Sequence, residues 1–195
     1  MKSMEFSEVN MQNSAVELTM ENGTPYRIQA CVEPGTKHTK EFLKTQIACA
    51  IESMSGESLR QRFASSINKL SEKQLDYLTS LDGKDRVAWC ASIGSNKAER
   101  GIGLARYVKL PNEENVAEFA VTVVDEFQRQ GIGYKLLKKL IEIAGKNGIK
   151  ILKGYVLSGN EHMLSLCRRF DAHTYSEDWS FVIADIPVPE YTTAN

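Results

Sequence analysis

Gln128-Arg129-Gln130-Gly131-Ile132-Gly133 constrains this chain more than any other stretch, because it joins two different periodicities. Before it, residues 116–124 (Val-Ala-Glu-Phe-Ala-Val-Thr-Val-Val) read as a strand. After it, Ile132, Leu136, Leu137, Leu140, Ile141 and Ala144 recur at helical spacing, Lys135, Lys138 and Lys139 take the opposite side, and Asn147-Gly148 supplies a stop. A strand that turns through glycines into a helix leaves several backbone N–H groups unpaired at the helix N-terminus, where the helix dipole adds partial positive charge. Gly131 and Gly133 carry no Cβ to hold a bulky anion away. The chemistry expected is pyrophosphate binding.

Three templates compete for that loop. The nucleotide P-loop needs Gly-x-x-x-x-Gly-Lys-Ser/Thr, and no such string occurs. The dinucleotide fingerprint needs a third glycine where Leu136 stands. The third, Gln/Arg-x-x-Gly-x-Gly/Ala, is the coenzyme A pyrophosphate loop of the Gcn5-related N-acetyltransferases (GNAT), and Gln128-x-x-Gly131-x-Gly133 resembles it at every defined position. A tight turn with no ligand is the bland alternative for such glycines. Downstream, Ile149–Leu157 alternates as a second strand with Ser158-Gly159 as its breaker, and Asn160 sits at a helix N-cap before Met163, Leu164, Cys167 and Phe170. This block is similar to the family's next one, in which an Asn opens a helix beside the pantetheine arm. Residues 172–176 and 179–186 read as a closing hairpin.

The 195 residues suit a single domain with a full core. A net charge of −1 and a pI near 6.3 argue against nucleic acid as the main partner. No apolar run approaches the ~20 residues that cross a bilayer, and Met1-Lys-Ser-Met-Glu-Phe6 lacks a signal-peptide core. Cys31, Cys49, Cys90 and Cys167 have no Cys-x-x-Cys spacing and read as reduced, buried thiols, so the expected compartment is the cytoplasm. His38, His162 and His173 are scattered, and no metal site is expected.

Residues 1–14 are polar and expected to be loose, leaving 15–195 as the folded domain. Residues 16–20 and 26–32 flank Glu21-Asn22-Gly23 as a hairpin. Helices are expected over Glu41–Met54, Glu57–Ala64 and Glu72–Leu81, the last behind Ser71 as N-cap, and strands over Arg86–Ile93 and Gly101–Leu110. Glu57-Ser-Leu-Arg-Gln-Arg-Phe63 and the later Leu70-Ser-x-x-x-Leu75-x-x-Leu78-Thr-x-x-Asp82 resemble the entry helices of bacterial Pat-type protein lysine acetyltransferases. The resemblance spans roughly residues 16–186. It implies the GNAT α/β fold, a mixed, mostly antiparallel sheet splayed at its central strands and flanked by helices. It also implies acetyl-CoA as co-substrate, and as acceptor a protein lysine such as that of an AMP-forming acyl-CoA synthetase. Pat-type domains are often fused to cyclic-nucleotide-binding or synthetase-like domains, and these 195 residues contain neither, so no regulation is carried over.

A lysine amine, with a reference pKa of ~10.4, is almost wholly protonated at neutral pH, so transfer to it needs a proton acceptor. Glu118 is the candidate general base, since it interrupts an apolar strand where a carboxylate is costly unless solvated or paired. Burial there is expected to raise its pKa; a solvent-facing Glu118 is the alternative. Alternation puts Glu118, Ala120 and Thr122 on one face and Ala117, Phe119 and Val121 on the other, without saying which meets the cleft. The resemblance places Val121, Thr122 and Val123 beside the thioester at a bulge, with the Val123 N–H as oxyanion donor. Gln128, Arg129, Gln130, Gly131, Ile132, Gly133, Tyr134 and Asn160 are the remaining candidate coenzyme contacts. Many relatives carry a general-acid Tyr where Cys167 stands, and the usual Gly-Phe is replaced by Phe170-Asp171-Ala172. Cys167 is expected to pack in the core, giving direct transfer without an acetyl-enzyme. A small-molecule amine acetyltransferase, with an acidic pocket of Glu113, Glu114 and Glu118, and a silent acyl-CoA sensor are the competing functions. Acceptor specificity is expected from residues 36–82 and the loop 111–115.

Overall fold

The computed structural model describes residues 15–31, 40–63, 69–95, 98–176 and 178–191. The expectation for residues 1–14 lies outside them, as do parts of the 36–82 region. The elements run β1 (Val16–Thr19), β2 (Pro25–Ala30), α1 (Lys40–Glu52), α2 (Gly56–Phe63), α3 (Glu72–Thr79), β3 (Arg86–Ile93), β4 (Arg100–Lys109), β5 (Val116–Val123), α4 (Ile132–Lys146), β6 (Ile151–Leu157), α5 (Glu161–Arg168), β7 (His173–Ser176) and β8 (Phe181–Pro187). The strands form one sheet in the order β1-β2-β3-β4-β5-β6-β8-β7. Every neighbouring pair is antiparallel except β5–β6, which α4 connects as a parallel crossover.

Strand alternation sorts the side chains into two layers. On β3, Val87, Trp89 and Ala91 join the main core beneath α4, as do Ala105 and Tyr107 of β4 and Ala117 and Phe119 of β5. Ala88, Cys90 and Leu104 turn the other way, against Leu43 of α1. The α4 stripe (Ile132, Leu136, Leu137, Leu140, Ile141, Ala144) is buried throughout. The helix stops at Asn147, whose side-chain amide donates to the carbonyl of Gly83 (3.1 Å) and to the Tyr107 hydroxyl (2.7 Å), with Gly148 following at φ 77°.

On the opposite face, Ser71 caps α3 in a reciprocal capping box with Gln74. Lys44 of α1 meets Asp76 of α3 at 3.0 Å, and Lys40 meets the same carboxylate at 2.7 Å. Leu59, Leu70, Leu75 and Leu78 join Ile51 and Met54 in a second apolar cluster. Of the cysteines, Cys31 and Cys167 are buried as expected, whereas Cys90 is half-buried and Cys49 exposed. No helix among the described residues is long and apolar enough to cross a membrane.

Candidate active site

The β5–β6 junction is a fork. The parallel ladder holds only Val116↔Ile151, Ala117↔Leu152 and Glu118↔Lys153, after which the strands part. Gly154 makes the crotch possible. A Cβ there would stand 2.7 Å from Cε1 of Phe119, so the Phe119 ring lies across β6 where a side chain would otherwise be. Beyond this point a gap opens between β5 and β6, lined by Val121, Val123, Val156, Asn160 and Met163.

The register of β5 decides which backbone groups face the gap. Val124 N–H donates to Ile102 O at 2.9 Å, and the β4–β5 pairing runs without a shift from Gly103↔Val123 to Lys109↔Ala117. Antiparallel alternation therefore gives β4 the backbone groups of Glu118, Ala120 and Thr122, and turns those of Phe119, Val121 and Val123 toward β6. Past Glu118↔Lys153 no strand is there to receive them. Val121 and Val123 thus present N–H groups to the gap, and Thr122 does not. The bulge expected on β5 is absent; the sheet's irregularity lies between Ala91 and Ser92, against β4.

The glycine loop meets the wide end of the gap. Gly131 is the N-cap of α4 with φ 79° and no side-chain cap, and Lys135 N–H is bonded to Gly131 O at 3.1 Å. Helix geometry leaves the N–H groups of Ile132, Gly133 and Tyr134 without intrahelical partners. A Cβ on Gly131 would meet nothing within 4 Å, and one on Gly133 would lie 3.7 Å from Leu166 and 3.8 Å from Val123. The loop is therefore open where an anion approaches and close-packed where it meets β5 and α5.

Several candidate side chains hold the loop's shape. Gln128 donates its amide to Val123 O and to Ser58 Oγ, each at 3.1 Å. Ser58 Oγ in turn donates to Asp125 (2.8 Å), which also accepts from Ser55 N–H (3.0 Å) and Ser55 Oγ (2.7 Å). Burial works against the Asp125 carboxylate, but these bonds outweigh it and hold its pKa below the ordinary value. Gln130 accepts from Asn22 N–H of the β1–β2 turn at 3.2 Å. Ile132 is buried in the core, so only its backbone faces the loop. Arg129 is exposed at φ 58°. The Tyr134 ring stacks on Phe170 at 4.9 Å with the Arg169 guanidinium 4.1 Å from its centre. Asn160 caps α5 through Met163 N–H (3.0 Å) and lines the gap.

Glu118 marks the closed end of the fork. Its face, left open by alternation, is that of α2 and α3, with Ala120 beside Arg106 in the register. The burial expected of it is not found: Glu118 is exposed, because β6 and α2 leave its carboxylate open to the cleft. Arg62 and Arg106 share its surroundings. Burial, then the nearby Arg106 cation, push Arg62 down to about 10, with Glu118 acting against them. Of Glu113, Glu114 and Glu118, considered as an acidic pocket for a small amine, Glu118 lines the cleft and the other two do not, Glu113 being bonded to Lys153 at 2.6 Å. Cys167 is fully buried, and burial pushes its thiol up to about 11.

The residues that sequence reasoning missed come from α2 and β4. Ser58 and Arg62 reach the cleft because α2 crosses the end of β5, and Ser55, just before α2, supports them through Asp125. Arg106 had a visible signal, a cation inside an otherwise apolar alternating strand.

A strand forked from its parallel neighbour and running into an uncapped glycine-led helix defines an α/β architecture with an anion-receptive helix N-terminus beside an open strand edge. The chain belongs to the acetyltransferase (GNAT) family, whose model matches residues 57–171. It is 32% identical over 139 residues to the acetyltransferase Pat of Mycolicibacterium smegmatis, covering 71% of this chain and 41% of that protein. It is 31% identical over 106 residues to acetyltransferase PA5475 of Pseudomonas aeruginosa, covering 54% of this chain and 56% of that one. The chain thus spans about half the length of the curated relatives it matches. Its fold superposes on the GNAT domain of S. lividans PAT with a TM-score of 0.76 at 22% identity, covering 89% of this chain and 96% of that one. It also superposes on yncA of Salmonella typhimurium, solved with its cofactor acetyl-CoA, with a TM-score of 0.64 at 14% identity over 87% of this chain and 98% of that one.

Proposed function

We propose that residues 15–195 form a single acetyltransferase domain that transfers the acetyl group of acetyl-CoA directly to a lysine ε-amine of a protein. The observation that carries this reading is the fork itself. Two unpaired N–H groups, from Val121 and Val123, lead into three more at the start of α4, with Glu118 at the closed end of the same strand.

The residues fit the coenzyme. The α4 N-terminus and the open side of Gly131 receive a pyrophosphate, through N–H donors and the helix dipole. The pantetheine arm, a thin chain with amide groups, takes the place of the missing β6 ladder partner beside Val121 and Val123. Acetyl-CoA supplies the activated acetyl group. The Val123 N–H is the donor assigned to the carbonyl oxygen as charge develops there, a contact of a kind worth ~2.7–4 kcal/mol of barrier. Glu118 accepts the proton of the incoming ammonium, directly or through a water, and its exposure keeps it reachable from the acceptor side. Cys167, with its thiol held near 11 inside the core, takes no part.

Two features favour a protein lysine over a small polyamine. Glu118 has cations beside it, which repel a polycation, and among the described residues lining the cleft no second carboxylate joins it. The resemblance to Pat-type enzymes makes an AMP-forming acyl-CoA synthetase the first acceptor to try. The test incubates radiolabelled acetyl-CoA with the protein and such a synthetase or a host-cell lysate, comparing wild type with Glu118→Gln. Glu118-dependent label on a protein band supports the reading. Label confined to small molecules replaces it with an amine acetyltransferase, and tight acetyl-CoA binding without label replaces it with a sensor module.

A further inference from the structure

Behind Glu118, on the face away from α4, a recess of about 220 Å³ opens between α2, α3 and the β4–β5 ladder. Its wall includes Arg62, Gln74, Tyr77, Arg106, Val108 and Glu118. Arg106 is only 5% exposed, and its Nε and one terminal nitrogen, Nη2, are buried without a hydrogen-bond partner. Arg86, one strand over, is in the same condition at Nε and Nη2. The Tyr77 ring lies against both guanidinium groups, its centre 4.7 Å from that of Arg86 and 4.9 Å from that of Arg106. Arg62 adds a second cation to the wall, beside Arg106, while Arg86 lies outside the lining. The described residues contain no ion pair for Arg62, Arg86 or Arg106; Glu118 faces the recess without bonding to any of them.

Such an arrangement is costly as it stands. A guanidinium brings five donors in a fixed fork, and donors withdrawn from water without partners oppose folding. Like charges packed together oppose it further. A planar anion in the recess offsets the like charges of Arg62 and Arg106 and offers acceptors on the Arg106 side, and a carboxylate matches the guanidinium fork in geometry.

We propose that this recess is an anion subsite of the acceptor, taking a carboxylate that the acceptor carries beside its reactive amine. Resting on the protein-lysine reading above, the carboxylate is that of an Asp or Glu side chain close to the target lysine. The recess shares Arg62, Phe63 and Glu118 with the cleft, so an anion seated there holds its neighbouring amine at the closed end of the fork. Arg62 and Arg106 are positioning residues in this scheme, with no proton to exchange.

The test has two arms. In the first, N-acetylglutamate is titrated calorimetrically into the full protein, its Arg62→Gln and Arg106→Gln variants, and a conservative Arg106→Lys variant that guards against misfolding. Binding to wild type, lost in both Gln variants and weakened in Arg106→Lys while acetyl-CoA binding persists, supports the subsite. No binding to wild type, or binding unchanged in all variants, overturns it. In the second arm, acetylation is followed on paired lysine peptides in which Glu near the lysine is replaced by Gln. Wild type is expected to favour the acidic peptide on the order of 10-fold in kcat/KM, mostly through KM, from one charge-assisted contact. The preference should vanish in Arg62→Gln. Equal rates on both peptides overturn the acceptor role. Probe binding with no peptide acetylated at all supports the subsite and counts against the protein-lysine reading instead.

Discussion

Glu118 stands open to the cleft while Cys167 is sealed in the core, and their substitutions separate chemistry from packing. Glu118→Gln keeps the shape of the closed end of the fork and removes the proton acceptor. We expect turnover to fall by ~10²–10⁴-fold with acetyl-CoA affinity unchanged, read by steady-state kinetics beside calorimetry. A turnover unchanged in Glu118→Gln would exclude Glu118 from the reaction. Cys167→Ala is expected to leave turnover intact and to cost roughly 1 kcal/mol of stability in urea unfolding. The thiol's pKa of about 11 lies above its unfolded value of 9.0, so the folded chain binds the extra proton in that window. Stability from this group is complete below pH 9 and falls between pH 9 and 11, by roughly 2 kcal/mol at the upper end. Unfolding curves of Cys167→Ala should be correspondingly flatter over that range.

Between elements, the contact that matters most is α2 on the end of β5, made by Ser55, Ser58, Asp125 and Gln128. Asp125→Ala strips three donors of their acceptor, and we expect a loss of about 1–3 kcal/mol together with a raised KM for the acceptor, since Arg62 moves with α2. Acid acts in the same direction: the Asp125 contribution is present above pH 3.8 and is lost as pH falls through the lowered folded value. Gly154→Val should displace the Phe119 ring, destabilising the protein by about 1–3 kcal/mol and slowing transfer, as thermal unfolding and kinetics would report.

The elements themselves were legible. Ser71 announced α3, Asn160 announced α5, and the switch of period at Gly131 announced the β5–α4 junction, because each is a local preference of neighbouring residues. The Gln128–Ser58 bond spans 70 residues, and the recess collects Arg62, Tyr77 and Arg106 from three elements. No local periodicity encodes such meetings. The same reason explains the wrong expectation of burial for Glu118: its apolar strand neighbours were read correctly, but the widening of the fork beside it depends on Phe119 and Gly154, 35 residues apart.

At the scale of the whole molecule, the sheet consists of β1–β5 and β6–β8, joined by three residue pairs and by the α4 crossover. A ligand lying along the fork bridges both parts, so acetyl-CoA at about 100 times its Kd should add ~2.7 kcal/mol to the unfolding free energy, seen as a raised Tm. An unmoved Tm at concentrations expected to saturate would mean that the folded chain does not bind acetyl-CoA. The fork also leaves a signature in deuterium uptake. Along β5, the amides of Ala120 and Thr122 are locked to β4 and those of Val121 and Val123 are not, so one strand should take up the isotope at every second residue, like a comb. Filling the gap should slow the fast teeth and leave the slow ones unchanged, letting the protein report occupancy one amide at a time.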